Sequence, residues 1–413
     1  MPVSQEELGR RIKTARESCG LTQEQVATSL RVSRPSVAQM ELGNRSVSSL
    51  ELEGLAHLFG RDMREFLRGD FRTEDPLVAL FRAQPEVAGQ EQVMDALREC
   101  LVLGRDVTNL EHLLQIDRAS AIASYPLAGP KSKWDAIQQG NRIAEEERRR
   151  LGLGSTPVGD LVEMLEFQGL RTAVVRLPED VSGLTINDLA VGVLVVANKE
   201  HHYLRRRFSL AHEYGHVLLD RERLSTVSRT TDQDQLIEVR ANAFAATFLM
   251  PEDGVREFLA GLGKGQISRG HVEILHDDGS AATVEGRLAA GSQDLQLYDL
   301  VQLAHHFGVS RMSALYRLKN LRIASQADFD RLKALEDARR GAELTKLLNL
   351  AGPDHEAERN EFVHRVVGLA LEAFRREAIS RAKLYEIAEH VEISPDAVDS
   401  LLVGAGLSQD PDN

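Results

Sequence analysis

Cysteine is scarce in this 413-residue chain, long apolar runs are missing, and positive charge is in deficit. Its two cysteines, Cys19 and Cys100, stand far apart, so neither a disulfide framework nor a cysteine-built zinc site is expected. No apolar run of about 18 residues occurs, which removes a membrane-spanning helix from consideration. The chain does not open on a basic segment followed by an apolar core, and the expectation is a cytoplasmic protein. Fifty Lys and Arg face 63 Asp and Glu, a net charge of −13 that would argue against nucleic acid if it were spread evenly. It is not spread evenly: residues 1–70 hold ten basic and ten acidic side chains, so the acid excess lies beyond residue 70. A neutral N-terminal unit can still set local basic groups against phosphates.

The length suggests two to three domains. Near the N-terminus, Leu8, Ile12 and Ala15 recur at helical spacing, and Gly20 ends that helix. Thr22 caps a second helix that runs to Leu30, and Ser33 caps a third with Pro35 just inside it. Two short helices joined by a tight turn at Arg31-Val32 have the grammar of a helix-turn-helix. The run from Leu21-Thr22-Gln23 through Ser33-Arg34-Pro35-Ser36-Val37 to Glu41 resembles the XRE family of phage-repressor-like regulators. The Leu42-Gly43-Asn44-Arg45 that follows, and helices near 49–58 and 61–67, complete that five-helix pattern. The resemblance implies a double-stranded DNA operator as partner and a homodimer on it. It sets the helix from Ser33 in the major groove, with Arg34, Ser36 and Gln39 as base-reading candidates. Arg34 suits guanine and Gln39 adenine, while Gln23, Asn44 and Arg45 suit phosphates.

Residues 71–125 are helical in pattern but carry no chemical signature, and Tyr125 to Pro130 breaks the periodicity as a linker does. A charged helix follows from Trp134 to Leu151, and its Glu145-Glu-Glu-Arg-Arg-Arg150 run reads as an exposed, salt-bridged face. A helix (Val158 to Phe167) and strands near Leu170–Leu177, Ser182–Ile186 and Val191–Ala197 come next. They lead into a helix carrying His212-Glu213-Tyr214-Gly215-His216. Histidines four apart share one helical face, where two neutral imidazoles can bind a zinc ion and the adjacent carboxylate can serve its bound water.

A catalytic zinc needs a third protein ligand. Glu222 lies ten residues beyond His212, but Leu218 stands where metzincins need a turning glycine. Asp232 and Asp234 lie in a polar loop-like stretch, and Glu238 opens a new helix. Glu238 is the strongest of these, since a second helix bringing one carboxylate to the first is how thermolysin-like sites are built. The set Arg207-Phe208-Ser209-Leu210-Ala211-His212-Glu213, Glu238-x-x-Ala241-Asn242-x-Phe244-Ala245-Ala246 and Leu249-Met250-Pro251 resembles the ImmA/IrrE family of bacterial metallopeptidases from about 135 to 260. That resemblance implies His212, His216 and Glu238 as zinc ligands, Glu213 as general base and Asn242 as support for the ligands. His201, His202 and Tyr203 are candidate oxyanion donors, and Gly192–Val196 is the candidate edge strand for an extended substrate.

Residues 297–321 repeat the helix-turn-helix rhythm, and Leu384 to Leu402 does so more faintly. Adjacent His305 and His306 cannot share a face, which argues against a second metal site. The expected fold is multidomain and mainly α, with one α+β zincin-like domain. Its parts are a DNA-binding domain over 1–70, a helical linker over 71–130, the metallopeptidase domain over 131–290 and a helical region over 291–413. The expected function is a transcriptional regulator whose zinc endopeptidase cleaves an XRE-type repressor, in trans or in itself. The alternative is a non-proteolytic regulator or antitoxin, with a toxin as partner and the zincin-like domain as a sensor.

Overall fold

The computed structural model describes residues 3–19, 21–59, 61, 63–67, 91–116, 122–188, 191–220, 225–229, 235–264, 269–275, 281–287, 293–350 and 355–407. Helices dominate, with one four-stranded sheet. Among the described residues no helix is long and apolar enough to cross a membrane.

Five helices open the chain: α1 (Gln5–Ser18), α2 (Gln23–Leu30), α3 (Arg34–Glu41), α4 (Ser49–Leu58) and α5 (Met63–Leu67). Thr22 and Gln25 cap α2 reciprocally, and Arg31 takes a left-handed conformation that ends it. Ser33 caps α3 with Pro35 in its first turn. The apolar faces meet around Ile12, Val26, Val37, Leu55, Phe59 and Phe66. Gly9 lets α1 touch α3, since a Cβ there would lie 2.5 Å from the Met40 carbonyl oxygen.

Helix α6 (Glu91–Leu113) serves two cores. Its first half packs Val93, Leu97 and Leu101 on one face of the sheet, and its second half packs Val107 and Leu110 against C-terminal helices. α6 lies within the helical linker expected over 71–130, and its apolar stripe is packed along its length. Residues 71–90 lie outside the described residues.

Next come α7 (Lys133–Arg150), α8 (Leu161–Phe167), β1 (Arg171–Val175), β2 (Val181–Asp188), β3 (Gly192–Asn198), α9 (Tyr203–Leu219), β4 (Ser225–Arg229), α10 (Leu236–Leu249) and α11 (Glu252–Gly261). The strand order is β1-β3-β2-β4, with β1 and β3 parallel and the other pairs antiparallel. β3 is thus internal, and the edge-strand assignment for Gly192–Val196 is overturned. Its apolar run has a physical reason: Val193, Val195 and Ala197 face α9, while Leu194 and Val196 face α6, so both faces are buried.

The charged run of α7 also departs from expectation. Glu147 is fully buried and Arg148 nearly so. Arg148 donates to the carbonyl oxygens of Phe248 (2.6 Å) and Gly154 (3.0 Å). Glu147 accepts from Arg150, Tyr125 and Tyr214. Burial would raise the Glu147 pKa, but these donors outweigh it and hold the carboxyl below its usual range. Glu147 and Arg148 thus tie α7 internally to the two helices that carry the metal motif, while Glu145, Arg149 and Arg150 are exposed as expected.

A two-stranded hairpin, β5 (Arg269–Leu275) with β6 (Ala281–Arg287), precedes the last helices and was not foreseen. α12 (Leu297–Phe307) and α13 (Arg311–Asn320) join the core around α9 and α10 through Leu300, Leu303, Phe307 and Leu315. Beyond α14 (Gln326–Asp337) and α15 (Arg340–Leu347), the helices α16 (His355–Arg375), α17 (Arg381–His390) and α18 (Pro395–Gly404) form their own core with α6.

Candidate metal centre and nucleic-acid interface

One helical turn separates His212 from His216 on α9, and Glu238 sits in the first turn of α10, where the helix dipole favours a carboxylate. α10 can approach because α7 lies against it at Gly140. A Cβ there would come 2.9 Å from the Phe244 nitrogen and closer still to the Arg240 carbonyl oxygen. Tyr214, Phe244 and Phe248 lock the helices from behind, with ring centroids 5.4–5.9 Å apart.

The ligand atoms converge. His212 Nε2 lies 3.1 Å from His216 Nε2 and 3.1 Å from Glu238 Oε2, and His216 Nε2 lies 3.2 Å from Glu238 Oε1. Bonds of about 2.0–2.1 Å to a tetrahedral ion put ligand atoms roughly 3.3 Å apart, close to these spacings. Each imidazole is also held from outside. His212 Nδ1 donates to Asn242 Oδ1 and His216 Nδ1 to Asp220 Oδ2, both at 3.0 Å, so each ring presents Nε2 inward. Arg240 steadies Asp220 at 2.5 Å. These three side chains could hold a divalent transition-metal ion.

In the metal-free chain, burial pushes His216 toward neutrality, but hydrogen bonds to Asp220 and Glu238 outweigh it and raise its pKa. Burial likewise works to raise the Glu238 pKa, and the two imidazoles overcome it and lower it. Asp220 is lowered by His216 and Arg240 against the same desolvation.

Glu213 is held by the sheet. It is fully buried, and its carboxylate accepts from Thr185 Oγ1 (2.8 Å) on β2 and Ser228 Oγ (2.6 Å) on β4. The candidate oxyanion donors lie far from the ligands. Tyr203 begins α9 nine residues before His212, roughly 14 Å along the axis at 1.5 Å per residue. His201 is bonded to the Glu179 carbonyl oxygen at 3.2 Å, and His202 caps α9. The alternative ligands Glu222, Asp232 and Asp234 lie outside the described residues.

Asp220, Arg240, Thr185 and Ser228 were not anticipated. Asp220 follows His216 by four residues and was readable as the next position on the same helical face. Thr185 and Ser228 reach Glu213 only through strand pairing, for which no local signal exists.

In the N-terminal domain, Arg34 and Gln39 are exposed on α3, and Asn44 is exposed with its amide bonded to Gln39 Oε1 at 3.0 Å. Ser36 is half-buried, and its hydroxyl meets that of Ser33. The other two candidates are engaged inside the domain. Gln23 donates to Glu41 (2.9 Å), which is buried against Arg16, and Arg45 pairs with Glu51 (2.7 Å).

Comparison with known proteins matches two parts of the chain. Residues 7–67 match a helix-turn-helix domain, and residues 177–266 match a peptidase family model described as the IrrE N-terminal-like domain. The chain joins a helix-turn-helix domain to an IrrE N-terminal-like domain. The second match contains His212, Glu213, His216 and Glu238. No curated protein matches. Among solved structures, Bacillus thuringiensis PlcR, crystallised with the peptide PapR7 and DNA, aligns at 13% identity over 98% of this chain and 100% of its own. Its TM-score of 0.14 is too low to relate the two architectures.

Proposed function

We propose that this chain is a DNA-binding regulator whose IrrE-like domain is a zinc-dependent endopeptidase acting on a regulatory protein. The observation that carries the reading is the convergence of His212, His216 and Glu238, with both imidazoles held by outside acceptors. Bound zinc would acidify a water and polarise a peptide carbonyl. Glu213, adjacent to His212, is the side chain of this chain suited to take and return a proton. Its bonds to Thr185 and Ser228 keep that carboxylate oriented until a substrate arrives. The helix-turn-helix domain supports a repressor-type protein as substrate, either a separate chain or a second copy of this one. Arg34, Gln39 and Asn44 are the exposed groups that would face an operator, and a homodimer would present two such helices to paired half-sites.

One observation favours a second reading. Glu213 has no exposed surface, and both its oxygens are already engaged. A site in that state suits a sensor or interaction module that binds metal without cleaving. The two readings separate in one experiment. Zinc-loaded protein is incubated alone and with a helix-turn-helix repressor, beside the Glu213→Gln variant. Fragments that need both zinc and Glu213 support the peptidase, whereas a zinc-bound protein that yields none supports the sensor.

A further inference from the structure

A cavity of about 460 Å³ lies where the three apolar cores outside the DNA-binding domain meet. Val107 of α6 and Val366 of α16 come from the C-terminal core, Leu194 of β3 from the core behind the sheet, and Leu210 of α9 from the core around the metal helix. This volume is of the size that small-molecule sites have, roughly 300–1,000 Å³.

We propose that the cavity binds a small, neutral, mostly apolar molecule. The charge state follows from the walls. The buried charges that line it are already matched within the protein. Arg171 is bonded to Glu111 (2.8 Å) and Thr108 (2.7 Å), Glu166 is paired with Arg365 and accepts from Thr172 (2.8 Å), and His390 faces Asp106 at 3.4 Å. An ionic ligand would lose its hydration there without gaining a counter-charge. The rim carries side chains of both signs, Lys199 and Arg206 with Asp160, Glu163 and Glu392, so neither charge is uniformly favoured.

The position gives occupancy a consequence. Leu210 precedes His212 by two residues on α9, and α6 contacts α4 of the DNA-binding domain. A ligand seated here touches both the metal helix and the helix next to the DNA reader. Binding therefore has a packed route to either function, whether or not the metal site cleaves anything.

A matched pair of dyes tests the proposal on the full-length protein. N-phenyl-1-naphthylamine is neutral, and 8-anilino-1-naphthalenesulfonate carries nearly the same rings with a sulfonate. The neutral dye should bind saturably at one site with enhanced, blue-shifted fluorescence, at least tenfold tighter than the sulfonate. Leu369→Trp, which fills the cavity from α16, should weaken it tenfold or more while far-UV circular dichroism and cooperative melting are kept. Val162→Phe, filling from α8, carries the same expectation if the first variant does not fold. No binding by the wild type, or unchanged binding by a folded, filled variant, overturns the site. Equal or tighter binding of the sulfonate overturns the neutral ligand class.

Discussion

The Ser228 hydroxyl donates to Glu213 Oε1 at 2.6 Å, so the last strand of the sheet is tied to the residue beside His212, a candidate metal ligand. β4 pairs with β2 at the edge of the sheet, with Ser228 opposite Gly183. Ser228→Ala leaves a fully buried carboxylate oxygen without that donor, a loss of about 1–3 kcal/mol. Under the peptidase reading the variant melts lower and cleaves more slowly, because Glu213 loses one of the two bonds that orient it. A lower melting temperature with unchanged cleavage would show that the Ser228 bond only stabilises the fold.

Zinc uptake should release protons. Asp220 and Glu238 raise the His216 pKa against the effect of burial, and the ring must be neutral to bind through Nε2. Affinity therefore rises with pH across the neutral range. Calorimetry in buffers of different ionisation enthalpy reads the released protons directly. His216→Ala should lose the metal. Asn242→Ala, which frees His212 Nδ1, should weaken binding by about 10–100-fold. Equal affinity in Asn242→Ala would remove that residue from the support of the site.

The DNA-binding candidates divide by what already holds them. Arg34 and Gln39 are exposed on α3, and each bidentate base contact is worth about 1–3 kcal/mol of discrimination. The double variant Arg34→Ala with Gln39→Ala should lose sequence-specific binding in a gel shift while melting normally. Gln23→Ala and Arg45→Ala should act mainly on stability, because those side chains bond to Glu41 and Glu51. A normal melt with lost binding in Arg45→Ala would place Arg45 on phosphate instead.

What was readable in the sequence follows the range of each interaction. The two capped helices at Thr22 and Ser33, and the face shared by His212 and His216, are set within one or two turns of chain. Glu238 was reachable because its helix carries a recognisable pattern of its own. The run at Glu147-Arg148 was misread as solvated, since nothing local says that Tyr214 and the Phe248 carbonyl will cover it. Periodicity announced α6 as a helix, but not that Leu97 and Leu110 would enter different cores. Strand order is likewise set by partners distant in the chain, and nothing local to Gly192–Val196 shows that β1 and β2 flank it.

The contact of α17 with α6 should make stability depend on pH. Asp106 of α6 faces His390 at 3.4 Å and Lys383 at 2.9 Å, both on α17, with Glu386 beside Lys383. The facing Asp106 carboxylate raises the His390 pKa against the opposing effect of burial. Burial tends to raise the Asp106 pKa, and His390 with Lys383 overcomes it and lowers it. A raised histidine stabilises fully below its unfolded value of about 6.5 and loses that contribution as pH climbs through its folded value. A lowered aspartate stabilises above its unfolded value of about 3.9 and loses it as pH falls. The pair therefore contributes most between those limits, near pH 5–6. Urea titrations from pH 5 to 8 should show the wild-type midpoint falling on the alkaline side, and His390→Gln should flatten that fall. A variant that keeps the wild-type slope would assign the pH dependence to another group.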